Sequence, residues 1–153
     1  MSTTLPTPLP QILITSGTYT FLADLSPLAP LTVTKFLSLL PYTQKIIHVR
    51  WSGEGLWIPL GTNNASFQSL PYENNTAYPA PGEILLYPGG VSETEFLVAY
   101  GSVQFASKMG VLAGNHFLTV TEGNERGQLA ELGRKVLWEG AREVRFEVAS
   151  AEM

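Results

Sequence analysis

The strongest constraint on this chain is its punctuation. About eight short runs alternate apolar and polar residues, and each is closed off by Gly, Pro, Asn or Ser. Alternation with a period of two gives an extended segment one face for a core and one for solvent or a second layer. Residues 12–15 and 18–22 flank a Ser-Gly-Thr break and form a predicted β-hairpin. KIIHVRW (45–51) and GLWIPL (55–60) meet through Ser52-Gly53-Glu54-Gly55, again hairpin chemistry. GEILLYPG (82–89) and EFLVAYG (95–101) form another pair, HFLTVTEG (116–123) a further strand, and REVRFEVA (142–149) a closing one. VQFASKMGVLAGN (103–115) reads as irregular chain with a short turn.

Two stretches change period. Pro30 suits a first helical turn, and Val33, Phe36, Leu37 and Leu40 share one face of a helix that Pro41 ends. Between Gly127 and Gly140, Leu129, Leu132, Val136 and Leu137 recur at helical spacing. Antiparallel strands in this number usually remove their exposed edges by closing on themselves. The predicted fold is therefore mainly β: a closed eight-stranded antiparallel β-barrel with two helices covering its ends. Trp57 and Trp138 are expected to close those ends.

At 153 residues with 44% hydrophobic content, one domain with one sizeable core is expected. We divide the chain into a Pro-rich lead over 1–10, a single barrel domain over 11–149 and a tail over 150–153. No cysteine is present, which removes disulfides, thiolate catalysis and Cys-based metal sites. A net charge of −4, spread thinly, provides no basic face for phosphates, so nucleic acid is not an expected partner. The start, MSTTLPTPLPQILITSG, has no Lys or Arg and is broken by Pro6, Pro8 and Pro10, unlike a signal peptide. No apolar run approaches the ~18 residues of a membrane span. A cytoplasmic protein without a membrane partner is expected, so the sequons at Asn64 and Asn74 carry little meaning. Low charge leaves room for a homo-oligomer.

Candidate chemistry gathers on few residues. Alternation in 45–51 puts Ile47, Val49 and Trp51 on one side and Ile46, His48 and Arg50 on the other. A guanidinium fixed on a strand suits bidentate capture of a carboxylate; the plainer reading of Arg50 is an exposed cross-strand ion pair. The chain has two histidines. His116 follows Gly114, which permits a tight turn, and Asn115, whose amide can orient a substrate. Imidazole titrates near neutrality and suits proton transfer. The alternative is a turn-forming Asn115 with His116 bonded to backbone.

Glu54 lies in the Ser-Gly-Glu-Gly turn beside His48 and Arg50, whereas Glu73, Glu83, Glu93 and Glu95 show no diagnostic spacing. Tyr78, Tyr87 and Tyr100 offer hydroxyls, although strand tyrosines are commonly half-buried core. Lys108 can anchor an acid or remain a solvated loop lysine. The aperiodic GTNNASFQSLPYENNTAYPAP (61–81) is long for a compact domain and is expected to form part of a binding rim. HExxH, GxxxxGK[ST] and GxSxG patterns are all missing, so neither a metal nor a cofactor is expected.

APLTVTKFLSLLP, HVRWSGEGLWIP, PGEILLYPGG, YGSVQFASKMG, LAGNHF and LWEGAREVRFE, in this order, resemble a cyclophilin-like family of small proteins. The cucumopine and mikimopine synthases, Pictet–Spengler-type opine enzymes, are related to it. The resemblance runs from about residue 12 to 148 and implies a cyclophilin-like barrel. True cyclophilins, which are prolyl isomerases, carry adjacent His and Arg in a Phe-His-Arg motif; His48-Val49-Arg50 departs from it, which argues against that activity.

The resulting expectation is a cofactor-independent biosynthetic enzyme that cyclises or isomerises a carboxylate-bearing small molecule in a barrel mouth by proton transfer. His116, His48 and Glu54 would move protons. Arg50, Asn115, Tyr100, Tyr78 and Lys108 would hold the substrate, under a lid formed by 61–81. A non-catalytic module for a small ligand or peptide is the alternative. The enzyme reading requires His116, His48 and Arg50 to share one cavity.

Overall fold

The computed structural model describes residues 5–62 and 64–149. The tail at 150–153 lies outside them. Each alternating run contributes a strand. β1 (Gln11–Ser16) and β2 (Tyr19–Leu25) form the first hairpin, and α1 (Pro30–Leu39) leads to β3 (Tyr42–His48) and β4 (Gly53–Pro59). The one-turn helix α2 (Ala65–Gln68) and the two-residue β5 (Asn75–Thr76) lie in the long loop. β6 (Glu83–Tyr87) and β7 (Glu95–Val103) precede a small separate hairpin, β8 (Ala106–Ser107) with β9 (Gly110–Val111). β10 (Gly114–Glu122), α3 (Gln128–Glu139) and β11 (Arg142–Val148) complete the chain.

The main sheet runs β2-β1-β11-β3-β4-β7-β6-β10-β5, and a β2–β10 pairing joins its ends through Leu25↔Leu118 and Ala23↔Val120. Eight of these strands thus form the closed antiparallel, cyclophilin-like barrel, with β5 a short addition on β10. A ring of eight strands is just wide enough for its own side chains. Ile12, Phe21, Ile58, Leu86 and Phe146 are among those that fill it. A void of about 20 Å³ between the barrel core and Leu129 and Leu132 is lined by apolar side chains alone.

Phe36 of α1 is packed against Phe117 (4.9 Å between centroids), Phe146 (5.6 Å) and Phe96 (6.0 Å), which plugs one end of the barrel. α3 covers other strands through Leu129, Leu132 and Val136, the face that helical spacing predicted. Leu137 is not on that buried face, and Trp138 is 82% exposed rather than closing an end. Among the described residues no helix is long and apolar enough to cross a membrane.

β7 is buried on both faces over residues 95–100, which is why EFLVAY reads as a nearly continuous apolar run. Phe96 and Val98 point into the barrel core. Leu97 and Ala99 point outward into a second cluster with Leu85, Tyr87, Val103, Phe105 and Leu112, which the 103–113 segment covers.

Phe36→Ala should lower unfolding free energy by about 3–5 kcal/mol, the usual cost of emptying a packed aromatic site, as read by denaturant titration. A loss below about 1 kcal/mol would mean that α1 is not the plug.

Candidate functional site

A large concavity lies on the outside of the barrel, where β3, β4 and β7 run side by side. It measures about 680 Å³. Ile47 pairs with Trp57, and Pro59 pairs with Glu95, so three adjacent strands supply its wall. Residues 49–52, the 91–93 turn, Thr62 and residues 106–109 complete the lining.

The bordering segments are held by side chains bonded to backbone. The buried Ser52 hydroxyl accepts from Ala106 N–H (3.0 Å) and donates to Ala106 carbonyl (3.1 Å), clamping the β8–β9 hairpin to the segment after Trp51. The buried Tyr87 hydroxyl accepts from Val91 N–H (2.9 Å) and Ser92 N–H (3.2 Å), fixing the turn that carries Glu93. Arg50 and Lys108 are exposed at the cleft, and among the described residues neither pairs with a carboxylate.

Glu95 is the residue that sequence reasoning underrated. It is 6% exposed. Burial first, and the nearby Glu93 carboxylate second, push its carboxyl up to about 8. No ion pair or hydrogen bond among the described residues offsets either effect. The Trp57 indole N–H, another group of this cleft, is the buried side-chain polar atom left without a partner among the described residues.

The remaining expected site residues lie elsewhere. β3 ends at His48, so the face shared by His48 and Arg50 does not form. Val49 and Arg50 both line the cleft, while His48 turns towards Tyr100. His48 Nδ1 donates to the Val49 carbonyl (2.9 Å), and Nε2 is hydrogen-bonded to the Tyr100 hydroxyl at 2.7 Å. Burial, then the Glu54 carboxylate, raises the Tyr100 phenol, and Arg134 opposes them. Glu54 itself is exposed and accepts from Ser102 N–H (2.8 Å).

His116 is hydrogen-bonded through Nε2 to Thr119 Oγ1 (2.7 Å) and lies 3.9 Å from Glu83, among β6 and β10 residues outside the cleft lining. The single cavity required for His116, His48 and Arg50 is therefore not formed. Tyr78 is exposed and accepts from Gln104 Nε2 (2.9 Å), also away from the cleft.

Asn115 is fully buried and holds the long loop in place. Its Oδ1 accepts from Glu73 N–H (3.1 Å), and its Nδ2 donates to the Pro71 carbonyl (2.9 Å) and Thr32 Oγ1 (3.0 Å). The Glu73 carboxylate accepts from Thr32 N–H (2.6 Å) and Thr32 Oγ1 (2.7 Å). It takes the place of the side-chain cap that Ala29 does not provide for α1. Thus 61–81 is tied to α1 and β10, and of its described residues only Thr62 reaches the cleft lining. Among the described residues no three His, Asp or Glu side chains converge as a metal would need.

Two outcomes follow. Asn115→Ala strands buried partners in this network and should cost about 2 kcal/mol of stability, measured by chemical denaturation. Glu95 keeps its proton to about pH 8 when folded, against an ordinary value of 4.5. The folded state binds the extra proton in that window, so stability falls as pH rises through it. Glu95→Gln should match the parent below pH 4.5 and exceed it by on the order of 4 kcal/mol at pH 9; parallel stability curves would contradict the burial argument.

Among solved structures, the chain is similar to McbB in complex with tryptophan, with a TM-score of 0.67 and 21% identity over 94% of this chain. It spans 46% of the McbB chain. It is also similar to the solution structure of the hypothetical protein AF2241 from Archaeoglobus fulgidus, with a TM-score of 0.58 and 14% identity. That match covers 92% of this chain and 95% of the other. At these identities the likeness is one of fold. No curated protein matches the sequence. A family model described as protein of unknown function (DUF3830) matches residues 12–148, the span of the whole barrel, and the chain belongs to that family.

Proposed function

We propose that this protein binds a small carboxylate-bearing molecule in the outer-wall cleft and moves protons on it without a cofactor, as a biosynthetic cyclase or isomerase. The observation that carries the reading is one cleft that holds both a buried carboxyl, Glu95, and two cations, Arg50 and Lys108, which form no ion pair among the described residues. A fixed guanidinium offers a planar fork to a carboxylate, and Lys108 adds a second positive charge. A carboxyl held near 8 exchanges its proton close to working pH, where acid/base catalysis is most effective. The volume of about 680 Å³ falls in the range of small-molecule sites. Trp51 and Trp57 give the lining flat apolar surface.

The tryptophan bound to McbB, a flat ring with a carboxylate, supports a ligand of this kind. In this reading Glu95 takes the proton-moving role expected of His116, His48 and Glu54. His48 instead positions the Val49 carbonyl beside Arg50. A non-catalytic binding module is favoured by one observation: neither histidine lines the cleft, so the carboxyls would have to carry every proton transfer.

The test uses L-tryptophan as probe, alone and with a small aldehyde. Arg50→Ala and Lys108→Ala should each weaken tryptophan binding about ten- to a hundredfold, the value of a charge-assisted contact. Glu95→Gln should still bind, yet abolish any product whose mass equals both reactants less one water. Binding that ignores Arg50 and Lys108 would overturn the site. Binding without any product in the parent protein would favour the module.

A further inference from the structure

Glu95 is short of partners on every side. Across β4 it faces Pro59, which has no N–H, and Trp57 follows two residues earlier. Across β6 it faces Tyr87, whose hydroxyl already accepts from two backbone amides. The 91–93 turn brings Glu93, which repels it, and Thr62 is uncharged. Arg50 and Lys108 line the same cleft, but their exposed side chains make no ion pair with it. Burying a carboxyl without a counter-charge is unfavourable, and such a group normally stays neutral until one arrives.

We infer that the counter-charge of Glu95 comes with the ligand: the molecule this cleft fits carries a protonated amine beside its carboxylate, the carboxylate meeting Arg50 and Lys108 and the amine meeting Glu95. The inference rests on the cleft being the carboxylate site proposed above and adds the second charged group and its consequence. In the free protein Glu95 is a neutral acid. When an ammonium is seated against it, the carboxylate becomes the favoured form and its proton leaves to solvent, while the ammonium keeps its own. No covalent bond other than that O–H bond is broken.

Selection follows from the same exchange. A ligand of equal size and acidity but without nitrogen leaves Glu95 protonated and gains nothing from it. For an aminated ligand, affinity rises with pH towards about 8, because less work is then needed to ionise the free carboxyl.

The experiment is titration calorimetry on the full chain in two buffers of different ionisation enthalpy, comparing L-tryptophan with indole-3-propionate, which keeps ring and carboxylate but lacks the amine. L-tryptophan should release roughly 0.9 protons at pH 7 and roughly 0.5 at pH 8, the protonated fractions of a group at about 8 over a range where the ligand's ammonium stays intact. Indole-3-propionate should bind more weakly and release none. Glu95→Gln, with its fold checked by circular dichroism, should bind L-tryptophan without release.

Equal binding of both ligands with no proton release, while Arg50→Ala weakens both, would overturn this inference and leave the carboxylate site standing. Release that persists in Glu95→Gln would assign the proton elsewhere and overturn it too. If neither ligand binds at millimolar concentration, both readings fail.

Discussion

Closure of the strand ring governs everything else in this molecule. Once β2 pairs with β10, eight inward-facing rows of side chains occupy the space within, and a void of about 20 Å³ remains. A void of that size cannot admit a ligand. Helix α1 stoppers one end with Phe36, and α3 packs on further strands. The cleft is built on the outer wall, from what the loops lay over the strands. The cleft of about 680 Å³ thus lies on the outer wall, where the sequence reading expected a barrel mouth.

The outer wall has its own economy. Over β6 and β7 the covering segment makes a second apolar core, and the outward row of β7 runs through it as Ala99, Leu97 and then Glu95. At Glu95 the row passes from that core into the cleft. The carboxyl therefore inherits the burial of its apolar predecessors while facing a cavity large enough for a ligand. Its raised proton affinity is a consequence of position in a doubly covered strand, not of a specific partner.

Much of the architecture was legible because it is written in periodicity. Alternation located the strands, and the change to helical spacing located α1 and α3, with Leu129, Leu132 and Val136 facing inward as expected. What periodicity could not supply was where a strand stops. Three residues decide this case: alternation carried through 49–51 assigns Arg50 to the side of His48, whereas ending β3 at His48 lets Val49 and Arg50 both reach the cleft. Asn115 was misleading because an amide suited to a substrate is equally suited to a buried backbone network, and only burial separates the two. Glu95 stood among five glutamates that spacing could not rank. One signal was available: it heads EFLVAY, a run too uniformly apolar for a one-sided strand, so its carboxyl had to be buried or at a site.

The cleft also shows a division of labour between sheet and side chains. Ladder hydrogen bonds fix the wall formed by Ile47, Trp57, Pro59 and Glu95. The bordering segments depend on single polar side chains reaching backbone: Ser52 for the β8–β9 hairpin, Tyr87 for the turn bearing Glu93, and His48 for the Val49 carbonyl beside Arg50. Each such contact is worth only about 1 kcal/mol, small against the packed barrel. Arg50, Lys108 and Glu93 therefore ride on weakly held borders around the rigid wall that carries Glu95. Relatives built on the same barrel can change those borders, and with them the ligand, at little cost to folding. Against that background a fold likeness at 21% identity carries the barrel across, while the identity of the ligand has to be read from Arg50, Lys108, Glu93 and Glu95 themselves.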